Sequence, residues 1–338
     1  MRGPRADRAS RLTRRELLAA AGGAAGLAAT GMLSCAGPRE PVVVARAGAY
    51  DGSLEPILRD ALLEIGFGRG EVRGRRVLLK PNLVEPAPEA PHVNTHPTFV
   101  RAAAEVFRSL DAAEVFVAEG QGHVRDSYLV LEQSGFEGML AEAGLTFVDL
   151  NHDDVYAVRN DGGFAGLSHL FLPRTLGRAD IVVSLPKLKT HHWVGVTLSM
   201  KNLFGVMPGI CYGWPKNVLH TVGITPSILD VNRAVRATLA LVDGVVAMEG
   251  DGPIMGTPVA SGLVVAGVNL PAVDATAARL MGFDPFRIPY LARAPEAGLG
   301  PIASRAIEQR GERIDSLARP FTLVDHPYTR RFRDAETQ

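Results

Sequence analysis

Short apolar runs that each stop at a polar cluster, with helical-period segments between them, restrict this chain's fold more than any other feature. Residues 181–185, Ile-Val-Val-Ser-Leu, form such a run between Asp180 and Pro186, too short for a helix and rich in β-branched residues. Comparable runs lie at 41–47, 76–79, 114–118, 145–150, 239–246 and 261–268. Apolar residues at helical spacing fill the intervals 54–65, 98–110, 128–143, 226–240 and 269–282. This alternation predicts an α/β fold with a mainly parallel sheet flanked by helices. The segments 155–158 and 169–173 read as a small antiparallel addition. Periodicity fades after Pro285, so the reading is one α/β domain over 41–290 and an irregular C-terminal extension over 291–338.

In a parallel sheet, ligands bind beyond the carboxyl ends of the strands, and here those ends carry the chemistry. Lys80 and Asn82 follow one run and Glu119 and His123 another. Asn151 and His152 follow a third, and Lys187, Lys189, His191 and His192 a fourth. Asp243, Glu249 and Asp251 follow a fifth. Three lysines on an arbitrary loop are usually a solvated surface. Here Lys187, Lys189 and Lys201 are interleaved with Trp193, Val194, Val196 and Leu198, which argues for a site.

Lysines beside histidines suit an anionic small molecule, because a neighbouring cation favours the ionised partner and tunes proton transfer. His123 and His191 are the candidate acid/base groups. Lys80, Asn82, Lys187, Lys189 and Lys201 are the candidates for holding negative charge. Asp243, Glu249 and Asp251 offer oxygen ligands to a divalent cation, although their spacing is not that of the twelve-residue calcium loop. His191 and His192 are adjacent and lack the i, i+4 spacing of a helical zinc site. A turn residue bonded to backbone is the competing reading for His123, and a solvated loop for His152.

The 338 residues carry 36 basic and 36 acidic side chains, so the basic excess of a nucleic-acid binder is missing. Aromatics at 6% leave little for a base-stacking platform. The two cysteines are Cys35 and Cys211, which allow neither a disulfide framework nor an iron–sulfur cluster bound by cysteine.

Residues 1–36 read as an export signal. Thr13-Arg14-Arg15-Glu16-Leu17-Leu18 is similar to the twin-arginine type, and an uncharged Ala/Gly-rich stretch over 19–32 follows. That stretch is too weakly apolar for a membrane span, which needs about 20 strongly apolar residues. Met32-Leu33-Ser34-Cys35 resembles a lipobox, with Cys35 as the acylated residue and membrane attachment as its consequence. Ordinary cleavage is the alternative. The expected location is the periplasmic or extracellular face, reached through the twin-arginine machinery, which carries folded proteins.

The motifs Leu185-Pro186-Lys187-Leu188-Lys189-Thr190-His191 and Met200-Lys201-Asn202-Leu203-Phe204-Gly205 resemble domain-of-unknown-function family 362. Lys80-Pro81-Asn82 and Val242-Asp243-Gly244 agree with that family. A more distant similarity is to the nickel-dependent lactate racemases, through His191, Gly195, Lys201 and Pro208-Gly209, with the Pro-Gly pair set further along than in that family. Gly122-His123-Val124-Arg125 is similar to the turn that holds their acid/base histidine. That resemblance implies a nickel-pincer nucleotide tethered to Lys201, with His191 beside the metal and racemase- or isomerase-like chemistry. A non-catalytic periplasmic binding or cofactor-carrier protein is the alternative reading, and a structural surface lipoprotein the third.

Overall fold

The computed structural model describes residues 38–123 and 126–332. The leader with Arg14, Arg15 and Cys35, and the pair Val124 and Arg125, lie outside the described residues. Thirteen strands are described: β1 (Glu40–Arg46), β2 (Arg76–Pro81), β3 (Glu114–Glu119), β4 (Phe147–Asp149), β5 (Val155–Arg159), β6 (His169–Pro173), β7 (Ile181–Leu185), β8 (Lys187–His191), β9 (Gly195–Thr197), β10 (Leu239–Glu249), β11 (Thr257–Val259), β12 (Leu263–Gly267) and β13 (Ile307–Gly311). The helices that matter here are α1 (Leu54–Glu64), α2 (Pro97–Ser109), α3 (Ser127–Gln133), α4 (Phe136–Ala143), α5 (Ser199–Asn202), α6 (Asn217–Thr221), α7 (Ile224–Val235) and α8 (Leu270–Leu280).

The main sheet runs β13-β1-β12-β10-β7-β2-β3-β4. Its pairs are parallel from β10 through β7, β2, β3 and β4, and again between β1 and β13. Only β12 lies antiparallel to both neighbours on this path. β5 and β6 form a separate antiparallel pair, as the alternation at 155–158 suggested.

Side chains alternate across the pleat and feed two cores. Val42, Val44, Leu78, Val182 and Val265 join α7 and α8 on one face. Val43, Val77, Leu79, Val183 and Val264 join α1 and α2 on the other. A sheet buried on both faces explains why its strands read as continuous apolar runs. The predicted helix at 128–143 is two helices, because Gly135 takes a left-handed conformation (φ 71°) between them.

The C-terminal segment differs from the expected irregular extension. β13 pairs in parallel with β1, from Glu40 opposite Ile307 to Val44 opposite Gly311, and so forms an edge of the sheet. Five residues with Glu308, Gln309 and Arg310 in the middle carry no apolar alternation, which is why the sequence conceals an edge strand there. Phe332 is fully buried against Gly195.

Candidate functional site

β7 and β8 are nearly one strand, interrupted where Pro186 cannot donate to the ladder. The Pro186 carbonyl instead accepts from the backbone of Asp243 at 2.8 Å. β8 then continues beside the upper half of β10, with Lys189 opposite Met248. The two-residue period puts Lys187, Lys189 and His191 on one side of β8. Beyond it, β9 and the single turn of α5 return Lys201 and Asn202 to the same end of the sheet.

α5 is held by a distant carboxylate. Asp274 of α8 accepts from the Ser199 and Met200 backbone N–H groups at 2.8 and 3.0 Å, and from the Ser199 hydroxyl at 2.5 Å. These are the orphan donors of a helix start, so α8 supplies the cap that the local sequence lacks. Burial pushes the Asp274 carboxyl up to about 7 despite these bonds.

The strand ends surround a cavity of about 470 Å³. Lys80, Asn82, Lys189, His191 and Lys201 line it, with His123 at its exposed rim. Five of the seven residues expected to bind or react are therefore gathered in its wall, and a sixth at its mouth. Lys187 is not among them. Its ammonium is fully buried against Asp243 (2.6 Å) and the Tyr50 hydroxyl (2.8 Å), and Asp243 also accepts from Tyr50 and from the His96 backbone. Sharing a side of β8 with Lys189 was not enough, because Asp243 one strand away captures the charge.

The three expected cation ligands also separate. Asp243 belongs to that ion pair, Glu249 accepts from the Thr322 backbone at 2.9 Å, and Asp251 faces His192 at 3.1 Å. Among the described residues no group of three metal-binding side chains forms. His152 turns to Asp149 at 2.8 Å and is largely exposed, as the solvated-loop reading had it.

The cavity floor is an ion pair. Lys80 donates to Glu119 (2.5 Å), Asn202 (3.1 Å) and the Pro81 carbonyl (2.7 Å), all out of water. Glu119 in turn accepts from the backbone of Leu83 and Gly120. Gly205 is required beside this pair, since a Cβ there would strike the Glu119 carboxylate and the Lys80 ammonium. Lys80 is thus neutralised by the protein.

Among the described residues, Lys189, Lys201 and Lys216 have no carboxylate partner. Lys189 is fully buried and gives two protons to the Val93 and Pro253 carbonyls, at 2.9 and 3.1 Å. Burial, then the charges of Lys187 and Lys201, hold its pKa well below the lysine range. Lys201 rests over the Phe204 ring at 4.3 Å, and burial followed by Lys80 brings it down to about 8. Lys216 bonds Asn151, and burial brings it down to about 7, with Glu119 opposing the shift. His191 is kept neutral chiefly by burial and next by Lys201. Its Nδ1 accepts from the Trp193 backbone at 3.1 Å, so the ring proton belongs on Nε2.

Lys216 and His220 also line the cavity, although neither belongs to a polar cluster that follows an apolar run. Lys216 is a non-glycine residue in the left-handed region (φ 67°, ψ 47°), a conformation costing roughly 1–2 kcal/mol. Such strain is found where a side chain must be aimed. No periodicity in the sequence announces it.

The model of the family described as Domain of unknown function (DUF362) matches residues 77–279, more than half of the chain. The chain belongs to this family. The match contains every strand end that contributes to the cavity. A thylakoid-associated protein of Synechocystis sp. (strain ATCC 27184 / PCC 6803 / Kazusa) is 30% identical over 269 residues, 78% of this chain and 81% of that protein. Among solved structures, the lactate racemase apoprotein from Thermoanaerobacterium thermosaccharolyticum is similar at a TM-score of 0.42 and 14% identity. The alignment covers 72% of this chain and 58% of that one, so this chain spans less than two thirds of that structure.

Proposed function

We propose that this protein binds an anionic small molecule or cofactor in the cavity at the strand ends, and that His191 and the neighbouring amines move protons there. The observation that carries this reading is that Lys189, Lys201 and Lys216 line one cavity and pair with no carboxylate among the described residues, whereas Lys80 and Lys187 do. Buried like charges disfavour one another, and an anion relieves that repulsion directly. Neutral His191 presents Nε2–H as a donor. Lys201 and Lys216, at about 8 and about 7, pass between charged and neutral forms near physiological pH. Donor and acceptor within one cavity is what general acid/base chemistry requires.

A nickel-pincer nucleotide is one anionic group compatible with this wall, and the donor set fits it in part. Among the described residues none hydrogen-bonds the Lys201 amine, which would hold the group, and His191 lies in the same wall. Such a cofactor would supply the redox chemistry of a racemase. Pro208-Gly209 takes no part in the fit, since Gly209 packs against Asn151 and Trp214 instead. The leader is read as directing twin-arginine export, with Cys35 as a lipid attachment point. Replacing Arg14 and Arg15 by lysine should leave the protein in the cytoplasmic fraction, and unchanged fractionation would refute export by this route.

The central test is calorimetric titration of the native protein with a panel of small anions, together with mass analysis of whatever it carries when purified. An anion that binds wild type, and binds the double variant Lys201→Ala/Lys216→Met at least about tenfold more weakly, is the expected result. No binding by any anion, with no adduct on Lys201, would overturn the reading. Exchange of substrate hydrogen with deuterated water, lost in His191→Gln while binding persists, would mark an enzyme; binding without exchange would mark a carrier.

A further inference from the structure

The cavity changes character from its depth to its mouth. Lys189, Lys216 and His191 line it and are buried, whereas Trp193 and Met255 line it and are 50% and 77% exposed. Val84, Pro215, Pro253 and Ile254 add carbon to the same wall. Isolated exposed apolar side chains are ordinary on any protein. These come from four stretches far apart in sequence, around 84, 193, 215 and 254, and the fold brings them to one opening. Resting on the anion-binding reading, we infer that the ligand is an amphiphile, a carboxylate on a hydrocarbon tail. Its head lies among the buried amines and its tail along Trp193, Ile254 and Met255.

The carbon at the mouth is held in place. The Trp193 indole meets the rings of His192 and His220 edge-on, at centroid distances of 4.8 and 5.7 Å. The loop that bears Ile254 and Met255 is pinned on both sides of them. Before them, the Gly250 carbonyl accepts from the Thr190 hydroxyl at 3.0 Å and the Gly252 carbonyl from the His192 backbone at 3.0 Å. After them, the Gly256 carbonyl accepts from His92 Nε2 at 3.2 Å. Gly252 is required, since a Cβ there would strike the Thr190 carbonyl. A loop fixed in this way cannot fold Met255 under cover, so the side chain stays in water until an apolar group meets it.

Head and tail sites are also tied to each other. Lys189 donates to the Pro253 carbonyl at 3.1 Å, so one hydrogen bond joins a buried amine to the apolar loop. A singly charged head suffices, because burial lowers Lys201 to about 8 and Lys216 to about 7 and further negative charge has no full cation to meet. A flexible chain suits Met255, whose unbranched side chain adapts to irregular partners. The mouth continues into a concavity that a small amphiphile can fill and a flat protein surface cannot.

The probes are butyrate, hexanoate and octanoate, titrated calorimetrically into the full-length protein near neutral pH, with 1-octanol as the uncharged counterpart. Affinity should rise about threefold per added methylene, at one site per chain. Octanoate should bind at least about tenfold more tightly than 1-octanol. The ratio of octanoate to butyrate affinity should fall about threefold in Met255→Gln, a change at an exposed position. Equal affinity along the series would overturn the tail and leave the anion reading standing. A match between 1-octanol and octanoate would overturn the acidic head and count against the anion reading as well. An unchanged ratio in Met255→Gln would overturn the placement of the tail. Failure of all three carboxylates would overturn this inference, and would refute anion binding itself only if the wider panel also failed. Attachment to phosphatidylcholine vesicles without affinity for octanoate would overturn it in favour of a membrane-docking rim.

Discussion

At the scale of single residues, the cavity wall holds amines in surroundings that disfavour their charge. Lys216 shows the conflict most directly. Glu119 and Asp149 favour its charge and Lys80 opposes it, but burial dominates and lowers the amine to about 7. In the unfolded chain it titrates near the ordinary lysine value of about 10.4. Below about pH 7 the folded protein must hold an ammonium that it disfavours, so this residue's contribution to stability is poorest in acid. Between the two values the unfolded state binds more protons, and the contribution improves as pH rises. Lys216→Met should therefore stabilise the ligand-free protein by about 1–3 kcal/mol at pH 6, with the gain vanishing towards pH 10. Urea denaturation at both values checks this, and a loss of stability at pH 6 would contradict it. The lysine-rich motif could be recognised from sequence, but Lys187 and Lys189 could not be told apart. That distinction rests on Asp243, 56 positions away, and its 2.6 Å bond to Lys187.

At the scale of elements, α5 is a single turn, too short to be stable alone, and it carries Lys201 and Asn202 into the site. Its start is fixed by Asp274 from α8. Asp274→Ala leaves two buried N–H groups unpaired and should cost about 2–4 kcal/mol. Asp274→Asn keeps one acceptor oxygen for Ser199 but turns an NH2 towards the Met200 N–H. Its cost should be smaller than that of Asp274→Ala by about 1 kcal/mol. Thermal melts of the two variants give the comparison, and equal losses would show that Asp274 acts by packing rather than by capping. α2 was evident to within about a residue at each end, whereas the helical pattern at 226–240 overran α7 by five residues into β10. α5 and α6 were not evident, since four or five residues contain no helical repeat to read.

At the scale of the whole molecule, the sheet is closed on one side by its last strand. β13 covers the outer edge of β1, and Phe332 fills the space beside Gly195, which lies between His191 and Lys201 in sequence. A chain ending at Ala306 would expose the β1 edge and empty that space. It should lose cooperative unfolding or melt at least 10 °C lower, given the usual few degrees per kcal/mol in a chain of this size. A truncated protein melting within about 3 °C of the full chain would show that the terminus is dispensable.

The sequence by itself determined the α/β class, the order of the main strands and helices, and the family. These follow from local period and apolar content, which any short window of residues displays. It also determined that lysines and histidines collect after strands, so one end of the sheet was marked in advance. Which of those groups face the cavity was decided only by the tertiary structure. Lys80, Lys187, Lys189, Lys201 and Lys216 are the same side chain chemically. Glu119 neutralises the first and Asp243 the second, and the other three, in the cavity wall, pair with no carboxylate among the described residues. Charge pairing is a matter of distances across strands, and no local pattern encodes those distances.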